Sequence, residues 1–138
     1  MSESSSRTRL KFVEFDFKTL PNGKCSCRIG LQWSPDDSFE GEADGLSSPT
    51  GELRCAAEAT VAALEQAVAE KVSFELLGVK AVRAFDSVVV IVSLSCHDGP
   101  PAQRVVGSYL ADEQLPRGAA LAVLNATNRM LGNIVFSQ

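Results

Sequence analysis

The apolar positions of this chain change period as it runs, and each change marks an element. Residues 10–17 alternate, with Val13, Phe15 and Phe17 on one side and Glu14, Asp16 and Lys18 on the other. That period of two predicts a half-buried strand. Pro21-Asn22-Gly23 is a turn signal. Cys25, Cys27, Ile29, Leu31 and Trp33 then alternate with Ser26, Arg28, Gly30 and Gln32, which predicts a second strand. A turn over residues 34–37 leads to a third strand over 39–45, with Glu40, Glu42 and Asp44 facing one way. Gly45 to Gly51 reads as a loop. From about Glu52 to Glu70 the period lengthens, and Leu53, Ala57, Val61, Leu64 and Val68 make one helical stripe. Ser48 followed by Pro49 is a helix-start signal.

The same order then recurs. Strands are predicted over 74–85, 87–96 and 103–110, with His97-Asp98-Gly99-Pro100-Pro101 as a turn. A helix follows from Arg117 to Leu131, where Gly132 supplies a stop. A shift of 63 residues aligns Arg54, Ala56, Ala57, Ala59 and Ala63 with Arg117, Ala119, Ala120, Ala122 and Ala126. It also places Cys25, Cys27, Ile29, Leu31 and Trp33 on Val88, Val90, Val92, Leu94 and Cys96. One residue of slack in the loops brings Gly45 onto Gly107. These correspondences predict an α+β fold of tandem duplicated βββα units, with antiparallel sheets and helices packed on one face. The units span about residues 10–72 and 73–132 of a single domain, after a polar, disordered tail over 1–9. A unit of this size is marginal alone, so the two are expected to share one core or to pair their sheets.

A tandem βββα pair with a small-residue helix after a glycine-containing third strand resembles the C-terminal regulatory domain of the α-isopropylmalate synthase and citramalate synthase family. The residues that carry the likeness are Glu42-Ala43-Asp44-Gly45 with Pro49, then Ala56, Ala57 and Ala59. In the second half they are Val106-Gly107-Ser108 and the helix from Ala119 to Ala126. The resemblance implies a domain that dimerises and binds a feedback inhibitor, leucine or isoleucine, near the interface. The family's loop runs Gly-x-Gly-Pro, whereas this chain has the longer Gly45-Leu46-Ser47-Ser48-Pro49. Nothing in the 138 residues matches the family's catalytic barrel or its metal ligands, so the condensation chemistry is not implied.

Composition narrows the field further. With 17 acidic and 13 basic residues the net charge is -4, which disfavours bulk electrostatic binding to nucleic acid or an anionic membrane. No stretch approaches the length of a transmembrane helix, and the Ser-rich start lacks the apolar core of a signal peptide. A cytoplasmic location and free thiols are therefore expected. Cys25 and Cys27 fall on the apolar side of their strand, where thiols pack as small hydrophobes, and no metal site or cofactor is expected.

Chemistry-bearing residues are few. Cys96 and His97 are the nearest thing to a nucleophile and base, but neighbours on a strand point to opposite faces. The row Glu40, Glu42, Asp44 suits acid–base work or a hard cation, and equally a solvated strand face. If the third strands of the two units meet, in one chain or across a dimer, Arg104 would answer that row. Two loops deliver helix N-termini, whose free N–H groups favour a carboxylate or phosphate. The candidate ligand residues are thus Gly45, Ser47, Ser48, Thr50 and Arg54 in one unit and Gly107 and Arg117 in the other. The expectation is a non-enzymatic regulatory or small-ligand-binding module, a homodimer taking an amino acid or related small anionic metabolite. The alternatives are a protein-interaction adaptor without a ligand, or an enzyme built on Cys96 or the acidic strand.

Overall fold

A computed structural model describes residues 10–34, 36–68, 71–111 and 113–136; the expected tail at 1–9 lies outside them. The chain runs β1 (Lys11–Thr19), β2 (Lys24–Ser34), β3 (Asp37–Leu46), α1 (Pro49–Ala67), β4 (Ser73–Ala84), β5 (Ser87–His97), β6 (Gln103–Ala111) and α2 (Leu115–Phe136). Each strand triplet forms its own antiparallel sheet in sequence order. The fold is α+β, with the βββα unit repeated. No described helix is long and apolar enough to cross a membrane.

The register makes the repeat more exact than the sequence does, and moves one equivalence. Ile29 pairs with Gly41, and Val92 pairs with Gly107. Gly107 is therefore the counterpart of Gly41. Gly45 instead pairs with Cys25, where the second unit has Ala111 opposite Val88. The β5–β6 turn is longer than the β2–β3 turn, and the difference is taken up because α1 begins about one turn earlier than α2 does. A single offset along the sequence cannot expose two compensating length changes. Both first strands also carry a bulge at the same place, at Val13 in β1 and at Leu77 in β4. Such bulges twist an edge strand away from straight pairing, which protects it from adding further strands.

Alternation along β2 and β5 buries Cys25, Cys27, Ile29 and Leu31 in one sheet and Val90, Val92, Leu94 and Cys96 in the other. The helices lie on these faces, and the two units fill one continuous core. Each helix also reaches the other unit. α1 packs against β4, where the Glu65 carboxylate accepts from the Phe74 N–H at 2.8 Å. α2 places the Arg117 guanidinium 5.2 Å from the centre of the Phe12 ring in β1.

The alanine richness of both helices has a steric cause. A Cβ on Gly41 would run into the backbone of Ala59 and Ala63, and one on Gly107 into the backbone of Ala122 and Ala126. Strand and helix main chains touch there, which requires glycine on the strand and small residues on the helix. Thr60 and Thr127 are buried as well and return their hydroxyls to the carbonyls four residues earlier, at 2.8 and 3.0 Å. Gly132 does not end α2, which continues to Phe136. A glycine stops a helix when it turns left-handed, and this one keeps helical geometry.

Candidate functional site

The β3–α1 connection is shorter than the sequence suggests: strand runs to Leu46 and helix starts at Pro49, leaving Ser47 and Ser48 between them. Gly51 permits the tight entry, because a Cβ there would collide with the Leu46 carbonyl. Ser48 is the N-cap, in extended conformation, and its hydroxyl accepts from the Gly51 N–H at 3.0 Å. Pro49 occupies the first helical position, where its missing N–H costs nothing. The Ser47 hydroxyl donates to the Glu52 carboxylate at 2.9 Å, fixing an acid in the first turn.

This turn faces a half-open cleft of about 440 Å³. Ser47, Ser48, Thr50 and Glu52 form its polar side, and Pro49 and Leu53 belong to the same helix end. Lys80 and Ala81 of β4 contribute another wall, and Leu115 and Pro116 bring in the start of α2. The beginnings of both helices thus border one cavity. The walls offer one acid and one base within a largely apolar lining, and the size falls in the range of small-molecule sites. Two helix ends add partial positive charge.

The seven residues singled out from the sequence separate into two groups. Ser47, Ser48 and Thr50 line the cleft. Gly45 packs under α1, where an added Cβ would come within 3.3 Å of the Cys55 Cβ. Gly107 sits beneath α2. Arg54 pairs with Glu58 at 3.1 Å along the helix surface, and Arg117 covers Phe12. The cleft residues missed by sequence reasoning are Glu52, Leu53, Lys80, Ala81, Leu115 and Pro116. Glu52 had a legible signal, an acid in a first helical turn; Lys80 had none.

The other chemistry-bearing groups are placed as follows. Cys96 is buried beneath β5, while His97 points outward, with Ser95 Oγ 3.2 Å and a Glu75 carboxylate oxygen 3.9 Å from its Nε2. The two side chains do not meet. Arg28 of the adjacent strand answers the acidic row, lying 3.7 Å from both Glu40 and Glu42. Within the chain Arg104 does not, because it belongs to the other sheet. Cys55 donates its thiol to the Ala43 carbonyl at 3.3 Å, and Cys25 to the Leu46 carbonyl at 3.5 Å. Burial, with the Asp16 charge and Cys25 behind it, pushes the Cys27 thiol up to about 12. Burial and the neighbouring Cys25 push Cys55 up strongly, and burial with Asp98 raises Cys96. All three are held above the ordinary thiol range, the opposite of what an activated nucleophile needs.

The chain matches no known family model and no curated protein.

Proposed function

We propose that this protein binds a small carboxylate, an amino acid or close relative, in the cleft between the two helix starts. The observation that carries the reading is the composition of that cleft. Two helix N-termini suit a carboxylate, with Lys80 beside them on the edge strand β4; Glu52 suits an ammonium group, and Leu53, Ala81 and Leu115 suit a short apolar side chain. A zwitterion with an aliphatic side chain meets all three requirements at once. The role in this reading is sensing, with the hydroxyl–carboxylate pair of Ser47 and Glu52 serving to hold the first turn of α1. The proposed kinship with α-isopropylmalate synthase regulatory domains points to the same ligand class, and rests on the tandem βββα order, on Glu42 to Gly45 with Pro49 and the alanines of α1, and on Val106 to Ser108 with the helix from Ala119 to Ala126.

A thermal-shift series over the aliphatic amino acids and their 2-oxo acids tests the proposal. A ligand at a hundredfold excess over Kd stabilises by about 2.7 kcal/mol, a shift of several degrees for a domain of this size. Glu52→Gln is expected to abolish the preference for amino over 2-oxo acids, and Lys80→Gln to weaken both. A flat response to every compound, or shifts indifferent to both substitutions, rejects the cleft as the site.

A further inference from the structure

The two sheets leave four edge strands, β1 and β3 in one and β4 and β6 in the other. Three of them carry a device against further pairing. β1 and β4 are bulged, and β3 sets Glu40, Glu42 and Asp44 along its length. β6 pairs with β5 without a register shift, and from Val105 to Ala111 it holds no charged residue and no proline. Val106, Ser108, Tyr109 and Leu110 are exposed along it.

The main chain of this edge is turned outward at alternate residues. In the first unit the Ser47 N–H donates to the Gly23 carbonyl, so residues in step with Ser47 bond to β2 and those in step with Glu42 face away from it. Ser108 is the counterpart of Glu42, since Gly107 is that of Gly41. Its carbonyl accepts from the Asn125 side-chain amide of α2 at 2.8 Å, which fits a group without a partner in β5. Arg104, Val106 and Leu110 share its parity. The first unit has Ala62 where α2 has Asn125, and Glu42 where β6 has Ser108. One unit thus guards its edge with charge, and the other rests an amide on a strand carbonyl.

We propose that β6 receives an extended segment of a different protein as a fourth, antiparallel strand. The outward donors and acceptors of Arg104, Val106, Ser108 and Leu110 recognise a peptide main chain, and the Asn125 amide stands in for one N–H of it. Arg104 makes no ion pair among the described residues, and Val106 and Leu110 are 61% and 60% exposed. The incoming strand therefore carries a carboxylate opposite Arg104 and apolar side chains opposite Val106 and Leu110. A second copy of β6 meets the apolar need but not the charged one, because that strand contains no acid. The edge lies across the sheet from β4, which borders the cleft, so this pairing is independent of any ligand there.

The probe is the acetylated, amidated heptapeptide Val-Thr-Thr-Thr-Val-Thr-Glu, which runs antiparallel to β6 from Leu110 to Arg104. Titrated into the isotope-labelled full chain, it is expected to shift the backbone amides of β6 and the Asn125 side-chain amide saturably. N-methylation of its third and fifth residues, whose N–H groups point at β6, is expected to weaken binding by about tenfold or more, and methylation of its second and fourth to change nothing. Arg104→Glu is expected to weaken binding by roughly two- to fivefold, and a peptide ending in lysine instead of glutamate to restore it. Asn125→Ala, at an exposed position, is expected to tighten it. The absence of saturable shifts, shifts away from β6, equal losses from both methylation patterns, or binding indifferent to Arg104→Glu overturns the proposal. Peptide-free protein whose mass doubles from 14.7 kDa with its β6 amides already protected gives the edge to a second copy, and overturns it too.

Discussion

Replacing Gly41 by alanine adds one methyl group at the point where β3 and α1 touch. The added carbon falls inside contact with the Ala59 carbonyl and the Ala63 N–H, and neither can rotate away. The layers must separate locally by about 1 Å, which forfeits a quarter to a half of the dispersion energy across the contact. Overpacking typically costs about 1–3 kcal/mol when side chains can adjust. With main chain on both sides the upper end applies, and the roughly 0.5–1 kcal/mol that alanine gains over glycine offsets part of it. A net loss of about 2 kcal/mol is expected. With a urea m-value of about 1.5 kcal/mol/M, the midpoint falls by more than 1 M. Gly107→Ala should behave alike, since it occupies the equivalent contact with Ala122 and Ala126. Gly78→Ala is the control, because nothing lies within 4 Å of its added carbon. It should shift the midpoint little or upward. Urea melts followed by far-UV circular dichroism decide the matter. A Gly41→Ala midpoint unchanged from wild type, or a Gly78→Ala loss as large, refutes the packing argument.

Four more outcomes follow from the same structure. Native protein at pH 8 should leave Cys27, Cys55 and Cys96 unlabelled by a thiol reagent that modifies all of them in denaturant; rapid native labelling would contradict their burial. The unfolded Cys27 thiol ionises near its ordinary 9.0 and the folded one near 12, so unfolding releases a proton between those values. Stability should thus be flat below pH 9 on this account and decline above it, by about 1.4 kcal/mol per pH unit for each such thiol. Urea melts at rising pH check this, and a midpoint constant to pH 11 is the contrary result. Ser48→Ala removes the N-cap of α1 and should cost about 1 kcal/mol, with Ser48→Thr costing less, both read as shifts of the urea midpoint. Arg28→Ala should change stability by less than about 1 kcal/mol, since both carboxylates are solvent-exposed and neither lies within hydrogen-bond distance of the buried Nε, and a larger loss in the same melts would contradict this.

Much of the fold was legible because buried faces impose periods. Cys25 to Trp33 alternates since one side of β2 lies under a helix, and the stripe from Leu53 to Val68 follows from α1 lying on that sheet. Gly41 was not legible as the partner of Gly107, because the longer β5–β6 turn and the earlier start of α1 cancel in the sequence offset. The candidate site divides in the same way. Ser47, Ser48 and Thr50 are local to one helix start and can be read from the Ser-Pro signal. Lys80 and Leu115 join them through tertiary packing of β4 and α2, which no local spacing encodes. Arg117 stood out by its alignment with Arg54, yet both have ordinary structural partners, Phe12 and Glu58.

The most direct test of the central claim is a titration of isotope-labelled protein with leucine, followed by backbone amide shifts. The account predicts saturable shifts concentrated at Ser47, Thr50, Glu52, Lys80 and Leu115, with the outward sheet faces unmoved. Amides that stay unchanged to millimolar leucine and its aliphatic relatives, or that move chiefly at a distant surface, would contradict it.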